Sequence, residues 1–284
     1  MRLSIITINY NGAEKTNKLF DSLKNQTDQD FNVFVLDNAS EKSDFEKLNL
    51  TTSDVVRSEQ NLGFGGGINL LAKKALGNGS DWLLILNNDV TLDTDFMGLL
   101  RVNLKPENDI VGIPLDEGER TAYAGKIRWL KHTLPHIYDS KLYPLDSRSY
   151  AIGGAFVICK EVFEKLNGFD PNYFLYFEDA DLSLRARLLG LKISFLESPI
   201  AHHGEVSYSG KKLGSPLLLR YHYRNALYFN YKNGPWYIKL AVWPWSWIIV
   251  TKQIIKIIFG IRREYSRAIL SGVGDWYKNK IGKI

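Results

Sequence analysis

LSIITIN at residues 3–9 and FNVFVLD at residues 31–37 decide the architecture. Both runs are continuous, apolar and rich in β-branched residues, and the polar stretch 13–25 between them has helical character, so the chain opens strand, helix, strand. A short strand at 55–57, a helix over 67–76 and the apolar run WLLIL at 82–86 continue the alternation. Such a succession predicts an α/β fold with a mostly parallel sheet covered by helices on both faces. Residues 105–150 carry four prolines and no sustained period, and read as loops and short strands on the acceptor side. The pattern sharpens again at AIGGAFVIC (151–159), followed by a helix over 160–166, an Asn-Gly-Phe-Asp-Pro turn, an acidic cluster, a helix over 182–189 and the strand LKISFL (191–196).

With 284 residues the chain has room for one such domain and an appendage. Hydrophobic content of 45% with 24% charged residues is that of a globular protein. The single cysteine, Cys159, excludes an internal disulfide and a cysteine zinc site, which fits a reducing, cytoplasmic setting. The residues before the first strand lack the charged-then-apolar pattern of a signal peptide, so export of the catalytic part is not expected. Charge divides the chain more sharply than composition does. Residues 206–284 hold 14 Lys+Arg against two acids, whereas residues 1–205 hold 22 against 29. The basic part also carries five of the seven tryptophans, a mixture that suits an anionic lipid surface better than nucleic acid. The boundaries follow as a catalytic domain over 1–205 and a helical, membrane-associating region over 206–284.

In parallel sheets ligands bind beyond the carboxyl ends of the strands. Three strands here end in polar residues: Asn9-Tyr10-Asn11-Gly12, Asp37-Asn38-Ala39-Ser40 and Asn87-Asn88-Asp89. One such loop is an ordinary cap or Asx-turn; three together mark a site. Asp37 is placed to accept from a nucleobase N–H or a ribose hydroxyl, flanked by Thr7 and Asn9. The run Asn61-Leu-Gly63-Phe-Gly-Gly-Gly-Ile-Asn69 is a glycine-rich turn opening a helix, where free N–H groups favour phosphate. Its spacing and its position after the third strand argue against a dinucleotide fingerprint. Asp89, with Asn88 beside it, is the expected ligand of Mn²⁺ or Mg²⁺ bound together with a diphosphate. Glu178, Asp179 and Asp181 crowd the start of a helix beside aromatic residues, an environment that raises carboxyl proton affinity and suits a general base, assigned to Asp179. A histidine of the pair His202-His203 is a second metal ligand, and Arg224 a cation for the leaving diphosphate.

Taken in order, the pieces TINYN (7–11), LDNAS (36–40), NLGFGGGIN (61–69), LNND (86–89), the stretch 153–190, HHGEVS (202–207) and Arg224-Asn225 resemble the family 2 glycosyltransferases of the GT-A fold. The resemblance is strongest to the rhamnosyltransferase-like branch of bacterial surface polysaccharide synthesis. It implies nucleotide contacts from Thr7, Asn9 and Asp37, metal contact from Asp89, Asp179 of the Glu178-Asp179 pair as base, and His202 as the metal-side histidine by its H-x-G-x-x-S spacing. It also implies an inverting hexosyl transfer, with rhamnose one possible sugar, from a dTDP- or UDP-sugar to a lipid-linked glycan acceptor. One departure stands out: the family often has Asp-x-Asp where this chain has Asn87-Asn88-Asp89.

Between 236 and 261 the chain is rich in Trp, Ile and Val but interrupted by Lys252, Gln253 and Lys256. On one helix Lys252, Lys256 and Arg263 share a face away from the isoleucines, with Trp243, Trp245 and Trp247 at headgroup depth, so the segment is expected to lie on a membrane as a peripheral or monotopic anchor. A helix packed on the catalytic domain, or a homodimer contact, is the alternative. Two other functions remain: a non-catalytic sugar-nucleotide binding protein, and a nucleotidyltransferase, which needs a basic glycine-rich loop after the first strand where this chain has Asn9-Tyr10-Asn11-Gly12-Ala13.

Overall fold

The computed structural model describes residues 2–50, 54–139, 146–203 and 214–284. The first half runs β1 (Leu3–Asn9), α1 (Ala13–Lys24), β2 (Phe31–Asp37), α2 (Lys42–Phe45), β3 (Asp54–Arg57), α3 (Gly63–Gly77), β4 (Trp82–Leu86), β5 (Val90–Leu92) and α4 (Phe96–Asn103). Short strands follow: β6 (Ile110–Gly112), β7 (Leu115–Asp116), β8 (Thr121–Ala122), β9 (Ala124–Lys126), β10 (His136–Ile137) and β11 (Ser149–Tyr150). The rest comprises β12 (Ala155–Cys159), α5 (Lys160–Lys165), α6 (Glu178–Leu188), β13 (Ile193–Phe195), β14 (Ala201–His203), α7 (Pro216–Asn233), α8 (Trp236–Ile258) and α9 (Arg263–Tyr277).

Seven strands form the central sheet in the order β13-β6-β12-β4-β1-β2-β3. All neighbours are parallel except at β12, which runs antiparallel to both β4 and β6. The sheet is an α/β layer of the expected kind, and Ile5, Ile6, Leu83, Leu84, Ile85 and Val157 are wholly buried in it. Each such side chain contributes about 1.5–3 kcal/mol of hydrophobic stabilisation. Burial on both faces is why β4 is apolar throughout rather than alternating.

The reversed strand positions the site. Ala155 pairs with Leu86, so Gly153 and Gly154, which precede β12, lie beside Asn87 and Asn88, which follow β4. Asn87 N–H donates to Gly154 O at 2.9 Å. A small sheet of order β5-β14-β7-β8 continues from there and pairs His203 with Val90, the residue after Asp89.

Helix starts differ from expectation at three places. Helix α3 begins at Gly63, not residue 67, because its glycines are contact points: a Cβ at Gly65 would meet Phe169 Cβ at 2.9 Å, and one at Gly67 would meet Ile8 Cδ1 at 2.7 Å. Helix α6 begins at Glu178 rather than 182, so all three acids lie in its first turn, where the helix dipole favours them. In the basic part α8 stops at Ile258 and the chain turns through Gly260 and Arg262, both at positive φ. Arg263 therefore belongs to α9, and Ile261 to the turn. Trp245 is packed between two internal clusters rather than facing outward. Among the described residues no helix is long and apolar enough to cross a membrane.

Candidate active site

Asp89 sits at the mouth of β5 with His203 Nε2 3.3 Å from its Oδ1 and Lys15 Nζ 3.6 Å from its Oδ2. Asp89 Oδ1 and His203 Nδ1 are both buried without a hydrogen-bond partner among the described residues. Burying such atoms unpaired costs about 1–3 kcal/mol each, so the pair is set up for a ligand. No group of three or more His, Cys, Asp or Glu side chains arranged to hold a metal occurs among the described residues. Two donors are no cage, but they fit a hard divalent ion that takes its remaining ligands from diphosphate oxygens and water.

On the other side of the β4–β12 junction, Asp179 Oδ2 accepts from Gly153 N–H at 2.9 Å and Oδ1 from Ala180 N–H at 2.7 Å. The next residue, Gly154, accepts from Asn87 N–H, so this glycine pair ties Asp179 to the segment that carries Asp89. Burial pushes its carboxyl above the usual aspartate range, an effect only partly offset by those two N–H groups and by the His136 imidazole. Glu178 is more deeply enclosed, with Oε2 unpaired; burial first, and the Asp179 charge second, push it up to about 8. Two adjacent carboxyls thus divide their states, Glu178 holding a proton while Asp179 is the better acceptor. His136 also bonds Glu117, at 2.7 Å, and Glu117 in turn accepts from Tyr138 O–H at 2.9 Å. None of these three was found from the sequence: they come from the short strands at 110–150, which have no periodicity to read.

A cavity of about 470 Å³ opens at this end of the sheet, lined on its polar side by Tyr10, Asn38, Asn61, Asn88 and Asp89 and on its apolar side by Ile8, Phe64, Phe174 and Tyr221. The family model described as glycosyl transferase family 2 matches residues 4–166, more than half of the chain and all of the strands that build this cavity's floor. The chain belongs to that family.

A second model, described as the N-terminal domain of galactosyltransferase, matches residues 134–207. The low-salt glycan biosynthesis hexosyltransferase Agl10 of Haloferax volcanii is 23% identical over 99% of this chain and 92% of its own length. Among solved structures the mannosyltransferase PcManGT of Pyrobaculum calidifontis, in complex with GDP-Man and Mn²⁺, superposes with a TM-score of 0.58 at 12% identity, covering 98% of this chain and 88% of that one. S. aureus TarS 1–349 in complex with UDP-GlcNAc gives 0.57 at 15% identity, over 98% and 81%. These likenesses establish the GT-A fold for this glycosyltransferase.

Its remaining expected site residues fall in different places. Asn61, Gly63, Asn88 and Asp89 line the cavity. Thr7, Asn9 and Asp37 do not: all three are fully buried. Asn9 Nδ2 donates to Asp37 Oδ1 at 3.0 Å and to Ser40 and Asp44 at 3.1 Å each, and its Oδ1 accepts from Thr16. Strand alternation separates neighbours here, since Asn9 turns to Thr16 of α1 while Ile8 and Tyr10 reach the cavity. The phosphate cradle at the start of α3 is also taken: Leu62 N–H donates to Asn38 Oδ1, Gly63 N–H to Asn61 Oδ1 and Phe64 N–H to Phe174 O, each at 2.8 Å. Asn69 spends its amide on both backbone groups of Phe169 and lines another, open groove.

His202, expected at the metal, is instead held between Asp93 and Asp116 at 3.1 Å each; adjacent strand residues point to opposite faces, and it is His203 that faces Asp89. Gly204 and Ser207 of that motif lie outside the described residues. Asp181 is sealed inside by Tyr173, Arg185, Lys232 and Asn233, so it anchors α6 and is closed to substrate. Arg224 is buried as well. Its guanidinium donates to Tyr173 O at 2.9 Å and to Gly282 O at 2.6 Å, while Asn225 Nδ2 donates to Tyr173, Leu175 and Tyr176 carbonyls. The loop they hold is strained: Phe174, Tyr176 and Phe177 all have φ between 62 and 73°, each costing about 1–2 kcal/mol for a residue with a Cβ. Arg224-Asn225 thus holds the loop that delivers Glu178 and Asp179.

Proposed function

We propose that this glycosyltransferase is an inverting hexosyl transferase that moves a sugar from a nucleotide-diphospho-sugar to a hydroxyl of a lipid-linked glycan, working against the cytoplasmic face of a membrane in cell-surface glycan assembly. The observation that carries the reading is the backbone link across the β4–β12 junction: Gly153 N–H donates to Asp179, and its neighbour Gly154 accepts from Asn87, two residues before Asp89. Donor recognition falls to the polar wall of the cavity, with the side-chain N–H group of Asn61 offered to the base or ribose and Tyr10 an exposed ring, while Asn38 braces Asn61 and the start of α3. Asp89 and His203 would hold a Mn²⁺ or Mg²⁺ ion, which when bound neutralises charge on the departing diphosphate. Asp179, fixed by Gly153 and Ala180, takes the proton of the acceptor hydroxyl as its oxygen bonds to the anomeric carbon and the bond from that carbon to the diphosphate breaks. One displacement inverts the centre and needs no sugar bound to the enzyme. The hexosyltransferase of H. volcanii and the sugar-nucleotide complexes among the structural relatives support the substrate class.

Asp179→Asn keeps shape while removing proton acceptance. It is expected to lower turnover by about 10³-fold, within the range of general-base effects, and to leave donor affinity within about twofold. Nucleoside diphosphate release, followed with and without acceptor for UDP-, GDP- and dTDP-sugars including dTDP-rhamnose, is the measurement. Wild-type-like release by the variant would remove Asp179 from its role, and pyrophosphate as the product would favour nucleotidyl transfer.

A further inference from the structure

The cavity that contains Asp89 has one wall from a distant part of the sequence: Lys283 and Ile284 line it beside Leu217, Leu218 and Tyr221. Their path is fixed by hydrogen bonds. Lys280 N–H donates to Asp275 O at 2.8 Å, Gly282 N–H to Asn172 O at 2.7 Å, and Ile284 N–H to the Tyr221 hydroxyl at 2.9 Å. The Arg224 guanidinium grips the same segment at Gly282 O and, at 3.4 Å, at Lys280 O. A buried guanidinium is tolerated only when its donors are satisfied, so Arg224 and the segment order one another.

Charge gives the segment a purpose. A nucleotide sugar brings a diphosphate carrying about two negative charges, and Asp89 adds another. The groups first expected to meet them are engaged elsewhere: Arg224 with carbonyls, and the first N–H groups of α3 with Asn38, Asn61 and Phe174; Arg57 is paired with Asp37 at 3.3 Å. Lys15 is paired with Asp89 and lines an adjoining depression that shares Tyr10 and Asn88 with the cavity. Among the described residues lining the cavity, Lys283 is the one cationic side chain, and no ion pair to it is formed by any described acid.

We propose that residues 280–284 are an arm of the donor site, clamped by Arg224, and that Lys283 is the cation that binds the donor's diphosphate. The proposal rests on reading the cavity as the sugar-nucleotide site. Lys283 is a binding residue in direct contact with phosphate; Arg224 is a positioning residue that acts through it.

Titration calorimetry on the full chain with UDP, GDP and dTDP, each with Mn²⁺, and with the matching nucleosides, tests this. For the diphosphate bound tightest by the wild type, Lys283→Ala is expected to weaken affinity about tenfold, as loss of a charge-assisted contact does, and to flatten its salt dependence. Nucleoside affinity and the melting temperature stay unchanged, and Lys283→Arg stays within about threefold of wild type. Arg224→Lys should weaken diphosphate binding in the wild-type background and add nothing once Lys283 is alanine. Unchanged diphosphate affinity in Lys283→Ala overturns the proposal alone. Tighter binding also overturns it, by making the arm a plug, as does an equal loss for nucleoside and diphosphate. A wild type that binds none of the diphosphates overturns both this proposal and the functional reading beneath it.

Discussion

Glu178 and Asp179 show how one backbone step separates two chemical roles. Glu178 is raised to about 8 from an ordinary 4.5, chiefly by burial. For an acid whose folded value is raised, the folded state holds the extra proton, so its contribution to stability is complete below about 4.5 and is lost as pH rises toward 8. Glu178→Gln keeps that contribution at every pH. The variant is therefore expected to melt higher than wild type at pH 8, by an amount on the order of a few kcal/mol, and like it near pH 4.5; equal melting at pH 8 would show Glu178 ionised without cost. A second contrast separates the histidines. His203→Ala is expected to weaken Mn²⁺-dependent donor binding by about tenfold or more, and His202→Ala to spare it, as read by Mn²⁺ titration of donor affinity. The carboxylates were readable in the sequence because three acids exceed what a helix cap needs. Which histidine faces Asp89 was not, because facing depends on the phase of β14, a three-residue strand too short to show alternation. Nor does composition show which residues of β1 and β2 border the cavity, because both faces of these strands carry apolar residues.

Helix α3 illustrates the element. Its glycines look like a phosphate loop, yet Gly65 and Gly67 are seats for Phe169 and for Ile8 with Leu36. Gly63 differs again, with φ of +74° and Phe174 O only 2.3 Å from where a Cβ would stand. Backbone cannot yield as a side-chain tip can, so Gly63→Ala is expected to destabilise by about 3 kcal/mol through strain and overpacking. Gly77→Ala, in the last turn with nothing within 4 Å, should be neutral or stabilising by about 0.5–1 kcal/mol; urea unfolding of both variants checks the pair, and equal stabilities would remove the steric argument. The alternation of strands and helices was legible because hydrophobic runs of β-branched residues are long there. The starts of α3 and α6 were not, since tertiary contact at Phe174 and a left-handed Phe177, rather than a sequence cap, set them.

Over the whole molecule the basic part is more integrated than its composition suggests. Helix α7 packs on α9, with Arg220 bonded to Asp275 at 2.6 and 3.0 Å, and Arg224 reaches both the loop before Glu178 and Gly282. Removing residues 236–284 would therefore disturb the site itself, and membrane contact has to be tested by surface substitution. Helix α8 offers the surface: Trp236, Leu240, Trp247, Ile254 and Ile258 recur at helical spacing and are 45–74% exposed. With Lys239 and Lys252 also exposed, the proposed partner is an anionic bilayer. Trp247→Ser with Ile254→Ser and Ile258→Ser should abolish cosedimentation with phosphatidylserine vesicles, wild-type binding should weaken with salt, and donor affinity should persist. A homodimer lost in the same variant, by sedimentation velocity, would make the face a subunit contact instead.

The grip of Arg224 and Asn225 on residues 172–176 also sets an order of events during biosynthesis. Glu178 and Asp179 are synthesised well before the helix that braces their loop, so a nascent chain carries its acidic pair for a time without the geometry to use it. Competence arrives only when α7 has left the ribosome and folded back, so turnover begins with the late-made helices in place.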